Sequence, residues 1–172
     1  MSIHTIIQLP DSRLREVSKP VVAVTDEIQT LVDDMFETMY AAPGVGLAAI
    51  QIGMPLRIFV ADVAKGEEPP QPLTFINPEI TWSSEALTEY EEGCLSIPEY
   101  QDLVQRPAEV KIRFLDRHGV QQEMHCSGLL ATCVQHELDH LNGVLFIDHL
   151  SRLKRERLLK RFAKARRLKE VG

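Results

Sequence analysis

The stretch SGLLATCVQHELDHLNG (127–143) sets the centre of the fold, because it reads as one helix with its start, its stop and its chemistry all written in. Ser127-Gly128 opens the helix, and Asn142-Gly143 ends it in the manner of a left-handed cap. His136 and His140 stand four residues apart, so they share a helical face with Cβ atoms about 5–6 Å apart. Both imidazoles can therefore reach one metal ion. Glu137 is offset by one residue's rotation, which suits a carboxylate that contacts a metal-bound water rather than the metal. In that role it takes a proton from the water and later returns it to the leaving group. The pattern points to a metal-dependent hydrolase.

Upstream, TDEIQTLVDDMFETMY (25–40) reads as an amphipathic helix capped by Thr25. Asp26 and Glu27 suit its positive end, and Pro43-Gly44 stops it. The small, glycine-punctuated run GVGLAAIQIG (44–53) follows. Strand-like pieces then come in series: RIFVADV (57–63), LTFIN (73–77), EITW (79–82), ALTEYEE (86–92), AEVKIRFLD (108–116) and VQQEMHC (120–126). Asp116 to Gly119, DRHG, is the expected hairpin turn between the last two. Strands outnumber helices and do not alternate with them. The expected class is α+β, with antiparallel sheets packed around the central metal-binding helix and a basic amphipathic C-terminal helix over about 151–169.

The chain has 172 residues, 44% hydrophobic and 26% charged, which suits one catalytic domain over 1–172. Its three cysteines are too few and too uneven for a disulfide framework. The first twenty residues lack the apolar core of a signal peptide, and no run approaches the roughly 18 apolar residues of a membrane span. A cytoplasmic protein with no membrane partner is expected. The net charge of −6 hides a segregation: ten Lys or Arg face two Glu from Ser151 onward, against nine basic and 23 acidic residues before it. A basic tail of this kind suits a polyanionic partner.

Two histidines need a third ligand. The spacing of one protease type would put a histidine at position 146, where this chain has Phe146. Another type uses a downstream carboxylate, for which the choices are Asp148, Glu156 and Glu170, the two glutamates lying in the basic tail. Cys126 and Cys133 read as small packing residues. Cys94 differs, since it sits in the irregular segment EEGCLSIP (91–98). A His₂Cys set leaves a fourth position open for water, as catalytic sites require.

Three segments, GVGLAAIQ (44–51), EGCLS (92–96) and QHELDHLNG (135–143), resemble the three signature motifs of the peptide deformylases, in the same order. Chain length, the PDSRLR start and the basic C-terminal helix resemble that family too. The resemblance implies removal of the formyl group from the N-terminal formyl-methionine of nascent peptides, releasing formate. It implies that Cys94, His136 and His140 bind the metal, that Glu137 is the acid/base, and that Gln51 and the N–H of Leu95 stabilise the oxyanion. Fe(II) is the implied physiological ion, with zinc, nickel or cobalt as replacements, although a His₂Cys set would also accept zinc readily.

By the same resemblance Val45, Glu92, Leu129, Thr132 and Cys133 shape the methionine pocket. Gly44 and Gly46 are expected to let substrate backbone come close. Asp139 and Arg106 are a candidate pair steadying the helix. Gln101 departs from relatives that carry an Arg there. In the tail, Leu150, Leu153, Leu158, Phe162 and Ala165 form an apolar stripe. The resemblance implies ribosome binding by the basic face, and a monomer is expected. A metalloprotease and a catalytically silent metal- or ribosome-binding module are the competing classes; Glu137 and Gln51 would have no purpose in the second.

Overall fold

The computed structural model describes residues 2–171. The first helix, α1, is Asp26–Ala41, and Thr25 caps it by accepting from the Ile28 N–H at 3.3 Å. Then come β1 (Gly46–Ala48), a 3-10 turn at Ala49–Ile52, β2 (Ile58–Ala61) and β3 (Leu73–Ser83). β4 (Leu87–Cys94), β5 (Ile97–Pro107), β6 (Glu109–Leu115) and β7 (Gln121–Ser127) follow. The central helix α2 is Gly128–Leu141, and α3 is Arg152–Val171.

All strand pairs are antiparallel. β1, β2, β3, β6 and β7 form a five-stranded sheet in that order, and β4 with β5 forms a separate two-stranded sheet. The expected α+β class is the observed one. The Asp116–Gly119 turn joins β6 and β7, with the Asp116 N–H donating to the Val120 carbonyl at 2.9 Å.

Within the larger sheet, β1 and β2 are buried on both faces, which is why β2 reads as an unbroken apolar run. On β2, Phe59 and Ala61 face the cluster that includes Ala131, Val134 and Leu141 of α2. Ile58 and Val60 face Val32, Met35 and Met39 of α1. Phe59 and Phe75 stack at 4.5 Å, and Phe114 adds to the row at 4.4 Å from Phe75. A third cluster joins Ile97 and Val104 of β5 to Phe146, Leu150, Leu158 and Phe162, so α3 docks beside the smaller sheet.

The structure corrects four expectations. A strand, β5, occupies 97–107, where the sequence shows no clear one, because one of its inward positions holds buried Arg106 rather than an apolar residue. The pieces 73–77 and 79–82 are one strand broken by a register shift between Ile76 and Glu79. Pro78 cannot donate a ladder hydrogen bond and sits at this irregularity, as strand prolines do. β1 is a strand of three buried residues inside the glycine run. Leu153 of the tail stripe is 59% exposed, while Leu158 and Phe162 are buried, so the docking face is narrower than the stripe.

Candidate metal centre and its cleft

α2 carries the centre, and its far end is held firmly. The Leu141 carbonyl accepts from the Ser18 N–H at 2.8 Å and from Arg57 Nη1 at 3.1 Å. A cation there also complements the negative helix end. Gly143 adopts the left-handed conformation, φ 73°, and packs against the Arg15 backbone, where a Cβ would collide. The helix therefore cannot slide relative to the sheet without breaking contacts at its C-terminal end.

Cys94, at the end of β4, meets this helix. Its Sγ lies 3.4 Å from His140 Nε2. One ligand atom each from Cys94, His136 and His140 can be chosen so that all lie within 4.8 Å of one another, the spacing of a single-ion site. His136 Nδ1 is 2.9 Å from Glu92 Oε1. An ionised carboxylate can only accept, so Nδ1 carries the proton and Nε2 keeps its lone pair for a metal. Buried Phe146, at the position where one protease spacing needs a histidine, stacks beside the His136 ring at 6.3 Å.

Behind His136 lies a buried ionic network. Arg106 donates through Nε to Glu92 Oε2 at 2.7 Å and through Nη2 to Glu92 Oε1 at 2.9 Å. Its Nη1 reaches Asp139 Oδ2 at 2.9 Å, and His149 Nε2 approaches the same oxygen at 2.8 Å. The anticipated Arg106–Asp139 pair exists, with Glu92 as the stronger, bidentate partner. Burial would raise the Glu92 carboxyl, but the hydrogen bonds from His136 and Arg106 outweigh it and hold Glu92 below the ordinary carboxylate range.

Glu137 is 4% exposed, and its Oε2 is buried with no partner. Its Oε1 lies 4.0 Å from His136 Nε2. Burial pushes its carboxyl up to about 7. Gln51 is no surface residue: it is 1% exposed. Its Oε1 accepts from the Ala48 N–H at 2.9 Å, which fixes the amide so that Nε2 faces Ser96 Oγ at 3.1 Å and Cys94 Sγ at 3.6 Å. A proton-accepting carboxylate and an amide donor thus flank the three ligand atoms.

Twelve of the thirteen residues named from sequence line one open cleft of about 820 Å³; only His140 stands behind it. Gly44, Val45, Gly46 and Leu95 meet Leu129, Thr132 and Cys133 across this cleft. Glu92 lines it as well, with both carboxylate oxygens already engaged by Arg106 and His136. Burial pushes the Cys133 thiol well up, so it stays protonated and faces the Val45 carbonyl at 3.6 Å. Sequence offered no sign that residues 3–6 also line the cleft. They are pinned on α1 by the Ser2 N–H to Asp34 at 2.7 Å and the His4 N–H to Thr38 Oγ1 at 2.9 Å. Ser96, which holds Gln51, ends the EGCLS motif, but sequence gave it no role of its own.

The profile of the polypeptide deformylase family matches residues 3–156. A peptide deformylase of Bradyrhizobium diazoefficiens is 61% identical over 169 residues, covering 96% of this chain and 97% of the relative. The chain belongs to the polypeptide deformylase family. It is accordingly an enzyme of a family that removes formyl groups. The fold agrees: a peptide deformylase structure from Legionella pneumophila superposes with a TM-score of 0.91 at 46% identity, covering 99% of both chains. Another, from Ehrlichia chaffeensis in complex with actinonin, gives a TM-score of 0.91 at 41% identity, over 96% of this chain and 98% of that one.

Deformylases are metal-dependent, and the residues here fit an ion on three counts. The donor set is one sulfur and two imidazole nitrogens, suited to Fe(II), zinc, nickel or cobalt. Glu92 fixes one imidazole in the ligating tautomer. Among the described residues, no group satisfies Glu137 Oε2. No described helix is long and apolar enough to cross a membrane.

Proposed function

We propose that this cleft hydrolyses the formamide of N-terminal formyl-methionyl nascent peptides, releasing formate and the free amine. Cys94, His136 and His140 would hold one divalent ion, Fe(II) by preference. When bound, that ion supplies a Lewis acid and lowers the pKa of a water from about 15.7 towards 7.

Glu137 accepts the proton of the attacking water and delivers it to the departing amine nitrogen as the C–N bond breaks. Among the described residues, no group competes for its Oε2. Gln51 Nε2, held in orientation by Ala48 and Ser96, donates to the oxygen that gains charge as the formyl carbon becomes tetrahedral. The Leu95 N–H is the second donor; each is worth about 3–4 kcal/mol in the transition state. Val45, Leu129, Thr132 and Cys133 receive the methionine side chain, with Gly44, Gly46 and Glu92 completing the wall.

The observation that carries this reading is the joint placement of Gln51 against Cys94 and of Glu137 against His136, around one ligand triad. A plain metal-binding module needs neither. Formate release from formyl-Met-Ala-Ser tests it directly; cleavage of internal peptide bonds instead would replace deformylation with proteolysis. Metal preference is tested by anaerobic purification, where equal activity with zinc and iron would contradict Fe(II). We further propose that the chain acts as one cytoplasmic, monomeric catalytic domain whose basic α3 meets the ribosome. Cosedimentation of full-length protein and a form ending near Leu150 tests the last point, and equal binding would exclude α3.

A further inference from the structure

Beside the catalytic cleft, α3 encloses a second cavity of about 190 Å³. The two adjoin, since Gln8, Pro98, Glu99 and Tyr100 line both. The other wall belongs to α3, where Phe162 meets Tyr100 edge-on at 6.0 Å and Arg166 and Lys169 supply positive charge. Nothing in the reaction proposed above uses this space.

The shared wall is built irregularly. Across the smaller sheet Gly93 pairs with Gln101 and Cys94 with Ile97, so Pro98, Glu99 and Tyr100 have no partner on β4. A bulge of this kind re-aims side chains that a regular strand would alternate between its faces. Glu99 sits at φ 73°, a left-handed conformation that costs energy in a residue with a Cβ and that concentrates at functional sites. Three consecutive residues are thereby turned toward the two cavities. The charge of the second cavity is one-sided: two cations meet one carboxylate, the exposed Glu99. Arg166 donates to the Leu9 carbonyl and lies 5.9 Å from the Phe162 ring, contacts that hold its guanidinium without neutralising it.

We propose that this cavity is a substrate subsite that takes an acidic side chain of the peptide, downstream of the residues held at the metal centre. The peptide leaves the metal along the cleft, and the wall shared with the second cavity leads its following residues there. Tyr100 and Phe162 receive the aliphatic stem of a glutamate, and Arg166 and Lys169 its carboxylate. A formylated tripeptide is too short to use the subsite. The fourth to sixth residues of an extended chain add about 10 Å of reach.

The inference rests on the deformylation reading, and the test separates the two. Free peptides keep the ribosome out of the measurement. Compare kcat/KM for C-terminally amidated formyl-Met-Ala-Ser-Ala-Ala-Ala in which Glu or Lys replaces each of the last three alanines in turn. Amidation removes the terminal carboxylate as a rival anion. The wild type should favour Glu over Lys at one or more positions by about two- to fivefold, the scale of an exposed ion pair, through KM rather than kcat. Lys169→Glu should abolish the preference. Lys164→Glu makes the same charge change on the same helix, outside the cavity lining, and should leave the preference in place. Taking the Glu-to-Lys ratio within each variant cancels any general loss of activity. No Glu preference in the wild type, one that survives Lys169→Glu, or one that both variants diminish alike overturns the subsite. Failure of the wild type to release formate from formyl-Met-Ala-Ser overturns the deformylation reading instead.

Discussion

Gly46 of β1 lies directly against Glu137 of α2: a Cβ built on this glycine would stand 2.8 Å from Glu137 Oε1 and 2.9 Å from Cys133 Sγ. Gly46 is not in the left-handed region, so what it contributes here is absence of bulk rather than backbone freedom. Close approach of substrate was the expectation from sequence. Within the folded protein, the neighbour that needs the space is the proposed proton-transferring carboxylate itself.

Gly46→Ala should therefore act on catalysis rather than on folding. Displacing Glu137 by a fraction of an ångström to an ångström should lower kcat by about 10²-fold, with metal content unchanged. Gly44→Ala should be milder, because its added Cβ meets the tip of the half-buried Leu95 side chain. Steady-state kinetics with metal analysis checks both, and an unaltered kcat in Gly46→Ala would refute the contact's importance.

Arg106 should matter for stability and metal affinity together. It is 5% exposed and provides the cation opposite buried Glu92. Arg106→Ala strands that carboxylate, a loss of about 3–5 kcal/mol. It also loosens His136, with metal affinity falling about 10- to 100-fold. Urea unfolding and chelator competition measure the two effects; a stable variant with intact affinity would contradict the network's role.

Asp148 links the 3-10 turn at Phe146–His149 to the one at Ser12–Arg15. It accepts from Arg15 Nη1 at 2.5 Å and from the Leu145 N–H at 3.0 Å. Burial would raise its carboxyl, but Arg15 and the Leu145 N–H hold it below the ordinary value. A depressed folded pKa contributes stability above the unfolded pKa of about 3.9, and that stability is lost as pH falls through the folded value. The stability gap between wild type and Asp148→Asn should be on the order of 1 kcal/mol near pH 7, since the pair is partly solvated. It should close as pH drops below about 4. Unfolding measured across pH checks this; a gap that widens in acid would reverse the sign.

The two apolar anchors of α3 should separate cleanly from its third leucine. Leu158→Ala and Phe162→Ala remove buried groups and should each cost about 2–5 kcal/mol in docking α3. Leu153→Ala, at an exposed site, should stay within about 0.5 kcal/mol. Limited proteolysis of α3 reads the difference, and equal sensitivity in all three would contradict the docking face.

Much of this was legible because local rules and global fold agree. Thr25, Gly143 and the Asp116–Gly119 turn mark their element boundaries by local chemistry alone, and the i, i+4 histidines need only a helix. β5 was hidden for the opposite reason. Its inward row includes Arg106, whose burial depends on Glu92 from the paired strand β4 and Asp139 from a helix. Gln51 was hidden likewise, since nothing local says that Ala48 and Ser96 will bury and orient its amide. Partners distant in sequence leave no periodic signal, and for these residues the motif resemblance stood in for it.

The central claim is that Glu137 moves the proton in formamide hydrolysis at the Cys94–His136–His140 centre. The most direct test is formate release from formyl-Met-Ala-Ser by wild type and Glu137→Gln at matched metal content. Glutamine keeps the shape and cannot carry the proton. The expected result is full metal occupancy in both proteins and kcat lower by about 10²- to 10⁴-fold in the variant. Comparable formate release by Glu137→Gln would contradict the account.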